Sequence, residues 1–326
     1  MAEKTTVPET AVPETTVPGT TGAELDKARA GDIRALARLI SLVEDESPQV
    51  RIVIKDLLPD TGGARIIGLT GAPGVGKSTV TGALLSAFRA AGRRVAVLAV
   101  DPSSPFTGGA LLGDRIRMQE HATDGHVFIR SMASRGHLGG LAASTPQAIR
   151  VLDAAGFDLI LIETVGVGQA EVAIASLADS VLVLLAPGMG DAIQAAKAGI
   201  LEIADVFAVN KADKPDVHPV VRDLRNMIAL ADRPHGAWKP PIVTTVAIKG
   251  EGIDELVARM DQHWSWLSST GELKNRRHAR AREELTALAF AALRGRLAAS
   301  RLDELASRVA DGTLDPFTAA DELLSP

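Results

Sequence analysis

Residues Gly71-Ala72-Pro73-Gly74-Val75-Gly76-Lys77-Ser78 fall on the spacing G-x-x-x-x-G-K-[ST], with Thr79 directly behind them. That spacing suits phosphate chemistry. Glycines let the backbone curl around phosphate oxygens so that successive N–H groups point inward. A lysine at position 77 reaches β- and γ-phosphates, and a serine hydroxyl at position 78 is a ligand for Mg²⁺. The flanks agree: the apolar run Ile66-Ile67-Gly68-Leu69 precedes the loop. A helical pattern begins near Lys77 and adds the positive end of its dipole. Gly71 through Thr79 are the candidate phosphate-binding residues, and Lys77 is also a candidate catalytic group.

A second set of residues speaks to the base. Asn210-Lys211-Ala212-Asp213 follows the apolar run Val206 to Val209 and matches the N-K-x-D element of GTP-binding proteins. A carboxylate at Asp213 accepts two hydrogen bonds, from the ring N1–H and the exocyclic amine of guanine. Adenine offers no such pair, and an unpaired buried carboxylate is costly. Lys211 can lay its aliphatic stem along the base. Val246-Ala247-Ile248 stands where GTP-binding proteins carry S-A-x, whose backbone N–H meets guanine O6, with valine here in the serine position.

Glu163-Thr164-Val165-Gly166 stands where nucleotide hydrolases place D-x-x-G. Glu163 is one methylene longer than the usual aspartate. Its expected work is to hold Mg²⁺ through water or to orient the attacking water, with the Gly166 N–H facing the γ-phosphate. A carboxylate in this place can also simply cap the next helix. Asp101, after Val95 to Val100, and Asp114, in Gly113-Asp114-Arg115, aim at the same crevice. Ser78, Asp101, Asp114 and Glu163 are thus the candidate metal residues, although phosphate-bound Mg²⁺ keeps several waters and does not take three carboxylates directly.

The elements that must position these groups are legible as a pattern. Short apolar runs, namely Ile66–Leu69, Val95–Val100, Val127–Ile129, Leu159–Ile162, Val181–Leu185, Val206–Val209 and Ile242–Val246, alternate with helical stretches. Runs apolar on both faces predict an α/β fold of the P-loop NTPase type, with a mostly parallel sheet covered by helices. Ligands then bind at the carboxyl ends of the strands. Residues 6–20 repeat a Thr/Val/Pro/Glu five-residue unit whose prolines forbid a helix, so residues 1–22 read as a disordered tail. Residues 23–60 read as an N-terminal helical segment, 61–270 as the nucleotide domain and 271–326 as a C-terminal helical arm.

Composition narrows the classes. The 326 residues carry 35 Lys and Arg against 40 Asp and Glu, a net charge of −5 that gives no overall footprint for nucleic acid. Cysteine is absent, which excludes disulfides, thiolate zinc sites and cysteine catalysis. No apolar run approaches the ~20 residues of a membrane span, and the first residues lead into a polar stretch rather than a signal core. The expectation is a cytoplasmic protein that binds neither membrane nor nucleic acid. The basic run Lys274 to Arg282 is short, lacks interleaved aromatics and is followed by Glu283-Glu284.

With these residues assembled, the chain resembles the methylmalonyl-CoA mutase-associated GTPases, the MeaB/ArgK family. The likeness spans about Ala23 to Trp266. It is carried by Asp101 to Met118, Arg130 to Gly136 and Glu163 to Gln169. The resemblance implies a GTPase that forms a homodimer partly through helical arms. It also implies a chaperone for a cobalamin-dependent acyl-CoA mutase, with GTP hydrolysis gating cofactor loading and protection. By position it makes Gln194 and Lys197 candidates for swinging toward the nucleotide when that partner binds. GTP or GDP and Mg²⁺ are the implied ligands, and cobalamin is expected to belong to the partner: Asp124-Gly125-His126 starts like the D-x-H-x-x-G element, but Ile129 stands at the glycine position. The residue after Gly166 is Val167 rather than a water-positioning glutamine, so hydrolysis is expected to be slow alone and accelerated by a partner. Two alternatives stay open: a metallochaperone GTPase for another enzyme, and a P-loop kinase.

Overall fold

The computed structural model describes residues 20–45, 47, 49–101, 123–133, 144–164, 169–188, 200–234, 236–298 and 301–324. Two compact units divide the chain, one ending at Asp261 and one beginning at Gln262.

The first unit is built on parallel strands. They are β1 (Arg65–Gly71), β2 (Val95–Asp101), β3 (Val127–Ala133), β4 (Leu159–Thr164), β5 (Ser180–Leu185), β6 (Val206–Val209) and β7 (Ile242–Thr244). Their order across the sheet is β3-β2-β4-β1-β5-β6-β7, and every pairing is parallel. β1 is therefore central, with β4 on one side and β5 on the other. The chain passes from β1 beyond β4 to β2, and later from β4 across β1 to β5, so the direction of the connections reverses about β1 and a crevice opens at its carboxyl end.

β1, β4 and β5 are buried along their whole length, as strands covered on both faces must be. Alternate residues feed two cores. One face gathers Ile67, Leu69, Leu161, Leu182 and Leu184 under the helix α4 (Lys77–Ala90) and the helix Ile253–Thr270. The other gathers Ile66, Ile160, Val183 and Phe207 under α5 (Thr145–Ala154), α6 (Gln169–Leu177) and the helix Val217–Leu230. The N-terminal helices α1 (Thr20–Arg29), α2 (Ile33–Glu44) and α3 (Val50–Leu57) join that second core through Leu25, Leu36, Leu39, Ile40, Val53 and Leu57. Asp32 starts α2 by accepting from the amides of Arg34 and Ala35.

At the amino end of the sheet one residue type recurs. Asp158, Asp179 and Asp205 each stand directly before a strand and grip neighbouring backbone twice, Asp179 and Asp205 on the adjacent strand and Asp158 on Arg94, the residue that leads into β2. Asp179 donates its N–H to the Ile66 carbonyl at 2.9 Å and accepts the Ile66 N–H at 3.0 Å. Asp205 does the same with Val181 at 2.9 and 2.8 Å, and Asp158 with Arg94 at 2.9 and 2.7 Å.

The strand expected over Ile242–Val246 ends sooner, at Thr244. Thr245 donates to the Val209 carbonyl while its own carbonyl accepts from Ala212, and Val246 pairs antiparallel with Glu251. The chain is turned into a short 3₁₀ turn, Ala247–Lys249, instead of continuing the ladder.

The second unit consists, among the described residues, of the end of the helix Ile253–Thr270 and the helices Glu272–Ala298, Leu302–Ala310 and Pro316–Leu324. No helix of the described residues is long and apolar enough to cross a membrane.

Candidate functional site

The loop after β1 turns into α4 at the crevice the topology creates. Two of its glycines are dictated by backbone and space together. Gly71 has φ +144, and a Cβ there would lie 2.3 Å from the Leu184 carbonyl oxygen. Gly76, the residue before α4, has φ +95, and a Cβ there would lie 2.5 Å from Asn210 Nδ2. With glycine as N-cap, the cap contributes no side-chain hydrogen bond at the start of α4, where an anion is favoured.

Lys77 is buried, and its Nζ donates to the carbonyls of Gly71 (2.7 Å) and Ala72 (3.1 Å). The ammonium thus sits inside the loop on partial negative charges. Val75 is buried beneath the loop, whereas Pro73 and Gly74 are exposed at its tip and Ala72 and Thr79 are half-buried.

Glu163, in β4, lies level with Leu69 of β1 and Ala99 of β2. It is only 3% exposed. Ser78 Oγ donates to its Oε1 at 2.7 Å, and Thr81 Oγ1 lies 2.9 Å from its Oε2. Glu163 and Ser78, expected from sequence to share a metal, are therefore brought together. A carboxylate and a hydroxyl side by side are hard oxygen donors of the kind that Mg²⁺ takes. Asp101 closes β2 one residue beyond the Val100 that faces Thr164. Asp114, Gly166, Gln194 and Lys197 lie outside the described residues.

Asn210 joins the base element to the phosphate loop. Its Nδ2 donates to the Val75 carbonyl at 2.9 Å. Its Oδ1 accepts from Thr245 Oγ1 at 3.2 Å and from the Ala247 N–H at 3.1 Å. Lys211 adds a second link, Nζ to the Gly74 carbonyl at 2.6 Å, from a left-handed backbone of φ +58. Asp213 is exposed beside them, Val246 and Ala247 are buried, and Ile248 is 84% exposed.

Sequence reasoning missed Thr81 and Thr245. Both are buried hydroxyls that hold an expected site residue in place. A signal existed for Thr81, which stands three residues after Ser78 and hence on the same face of α4. The Asp124-Gly125-His126 segment has architectural contacts: Arg89 Nε donates to Asp124 Oδ2 at 2.7 Å, and the His126 amide donates to Asp124 Oδ1 at 2.8 Å. The Arg89 guanidinium, then that amide, hold the Asp124 carboxyl below its ordinary range.

Comparison with known proteins agrees with this geometry. Residues 36–301 match the family "Methylmalonyl Co-A mutase-associated GTPase MeaB". A Pyrococcus abyssi protein that bears a GTPase name is 47% identical over 307 residues, spanning 92% of this chain and 94% of its own. The GTPase ArgK of Escherichia coli is 37% identical, over 79% of this chain and 80% of its own length. The mitochondrial methylmalonic aciduria type A homolog of Mus musculus is 40% identical, over 65% of this chain and 52% of its own. Among solved structures, a LAO/AO transport system kinase superposes with a TM-score of 0.70 at 27% identity, covering 95% of this chain and 98% of the other. A phosphate-loop turn at the centre of a parallel sheet, tied by Asn210 to the strand exit that carries N-K-x-D, in a chain matched over most of its length, places the chain in the MeaB family of P-loop GTPases.

Proposed function

We propose that the chain is a GTP-driven chaperone for a cobalamin-dependent acyl-CoA mutase, acting as a cytoplasmic homodimer. The observation that carries the nucleotide half of this reading is Asn210, one side chain bonded to both the phosphate loop and the base-facing turn. Phosphate and base are then recognised by one connected body, and each half of the ligand rigidifies the seat of the other.

The roles follow from the contacts. Lys77 leaves the Gly71 and Ala72 carbonyls for β- and γ-phosphate oxygens, a stronger pairing for an ammonium. Backbone amides of residues 72–79 receive the remaining phosphate oxygens. Asp213 accepts N1–H and the amine of guanine, Lys211 covers the ring, and guanine O6 competes for the Ala247 N–H now lent to Asn210, with Val246 and Ile248 flanking it. Ser78 and Glu163 hold Mg²⁺, with Asp101 and Asp114 as further oxygens toward it. Mg²⁺ held by these residues would supply positive charge against the charge that develops during transfer. Glu163 orients water at the end of β4, and Gly166 offers its N–H to the γ-phosphate. Gln194 and Lys197, assigned by motif position, complete the site when the partner docks, so hydrolysis by the isolated chain is slow.

The mutase partner rests on the family's printed association and on the methylmalonic aciduria relative. For the homodimer, the support is the helix Glu272–Ala298, which leaves Leu285, Leu288 and Phe290 more than half exposed and Leu293 40% exposed. Large apolar side chains left this exposed within nine residues of one helix call for cover.

The decisive experiment has two arms. Calorimetry with Mg²⁺ is expected to show GTP and GDP bound and ATP excluded; adenine nucleotides binding equally well would end the guanine reading. Capture from native lysate with a nonhydrolysable GTP analogue is expected to retain an acyl-CoA mutase. Recovery of an unrelated metalloenzyme instead would transfer the assignment to a metallochaperone.

A further inference from the structure

We infer that Thr81 is a positioning residue for Glu163, fixing the second carboxylate oxygen so that the longer glutamate arm presents its charge to the nucleotide-bound metal. The inference rests on the reading of Glu163 given above and extends it to a residue outside the phosphate-loop pattern.

Glutamate carries one more rotatable bond than the aspartate usual at this position. A single anchor on one oxygen leaves the other free to swing. Ser78 and Thr81 stand three residues apart on α4, so their hydroxyls lie on one face of the helix. Ser78 Oγ reaches Oε1 at 2.7 Å and Thr81 Oγ1 reaches Oε2 at 2.9 Å. The helix thus meets the carboxylate with a two-point fork. Thr81 also lies 3.0 Å from the Lys77 carbonyl, and its hydroxyl has one proton to give. That carbonyl already faces the amide one turn on, as in any α-helix. The carboxylate is the stronger acceptor, so the proton belongs to Glu163.

Burial sharpens the case. Thr81 is fully buried and Glu163 is 3% exposed, so water does not replace the missing donor easily. Without Thr81 the carboxylate turns toward other partners, and the arrangement expected to receive Mg²⁺ is populated less often. Phosphate-loop amides and the guanine selector are untouched, so nucleotide affinity without Mg²⁺ stays as it was. This separates positioning from general support of the fold.

The test uses the full chain, a fluorescent GDP analogue and MgCl₂. For Thr81→Val, the Mg²⁺ concentration that half-maximally tightens GDP is expected to rise about tenfold, the loss of one charge-assisted hydrogen bond. Affinity measured in EDTA should stay within about twofold. Thr81→Ser, which restores the hydroxyl, is expected to return the Mg²⁺ midpoint to that of the parent. Thr81→Ala is the second variant should valine disturb folding, with the same expected shift. An unchanged midpoint in a folded Thr81→Val or Thr81→Ala protein overturns the inference, as does a Thr81→Ser protein that behaves like the valine variant. If GDP affinity of the parent ignores Mg²⁺ altogether, the metal role of Glu163 fails first and this inference with it. A parent that responds to Mg²⁺ beside a variant that responds identically defeats the inference alone.

Discussion

The two ends of the central sheet bury acidic side chains for opposite purposes. At the amino end Asp179 and Asp205 are 0% and 4% exposed, and each closes a ring of two hydrogen bonds with the backbone of the adjacent strand. Their partners are amides that no ligand displaces. At the carboxyl end Glu163 is buried as deeply, but it is held by hydroxyls, and the nearby Lys77 ammonium rests on loop carbonyls. Those partners are exchangeable, because hydroxyls also bind metal and an ammonium prefers phosphate to a carbonyl. Burial of charge alone therefore does not mark a site. The identity of the group that satisfies the charge does.

The contrast breaks first at Lys77. Lys77→Ala removes the only cation that the phosphate-loop pattern supplies, and single-turnover GTP hydrolysis is expected to fall about a thousandfold. The melting temperature should change less than at the amino end, since Lys77 leaves carbonyls, which tolerate a lost partner better than a buried amide does. A large loss of stability with intact turnover would make Lys77 an architectural residue like those at the other end. Asp213→Asn comes next. It exchanges an acceptor pair for one donor and one acceptor, and competition binding is expected to show GTP-over-ATP preference reduced by about a hundredfold. GDP released no faster, with preference intact, would show that Asp213 does not read the base.

What the sequence made legible divides along the same line. The strand-to-helix turn from Gly71 to Thr79 and the strand exit at Asn210–Asp213 are legible because each is a fixed spacing of residue types rather than a pattern of burial. The parallel sheet was readable because strands such as Leu159–Ile162 are apolar on both faces. The twofold grip of Asp158, Asp179 and Asp205 was not, since an aspartate before a strand looks like any turn residue until the neighbouring strand is known. Thr81 escaped for a related reason: a threonine in a helix gains meaning only when β4 brings Glu163 over it. The end of β7 was overrun by two residues because Val246 is as apolar as a strand residue, yet Thr245 is already bonded on both sides. N-terminal helicity was visible, but Leu36 and Ile40 packing into the same core as Phe128 and Ile160 depends on contacts far apart in the chain.

At the amino end the prediction reverses. Asp179→Ala orphans the buried Ile66 N–H and is expected to destabilise the first unit by about 2 kcal/mol, a fall of a few degrees in Tm. Nucleotide affinity at a temperature where the variant is folded should match the parent. Calorimetric unfolding and GDP titration on the same sample measure both. Weakened GDP binding in the folded variant would mean that the two ends of the sheet are energetically coupled.

The smallest expected effect lies at Asp124, an architectural carboxylate on the surface side of the same sheet. Arg89 and the His126 amide lower its pKa in the folded chain. A folded pKa below the unfolded one gives stability that is present above the unfolded value and is lost as pH falls through the folded value. The parent should therefore lose this contribution from about pH 4 downward. Asp124→Asn has no proton to take up there, so its unfolding free energy should fall less steeply over that window. Side-chain exposure of 30% for Asp124 and 18% for Arg89 keeps the difference small and sensitive to salt. Parallel acid-unfolding curves for parent and variant would show that the Arg89 pair contributes geometry without stability. GTP turnover at neutral pH should be the same in both, because this carboxylate, like Asp179, answers to protein groups alone.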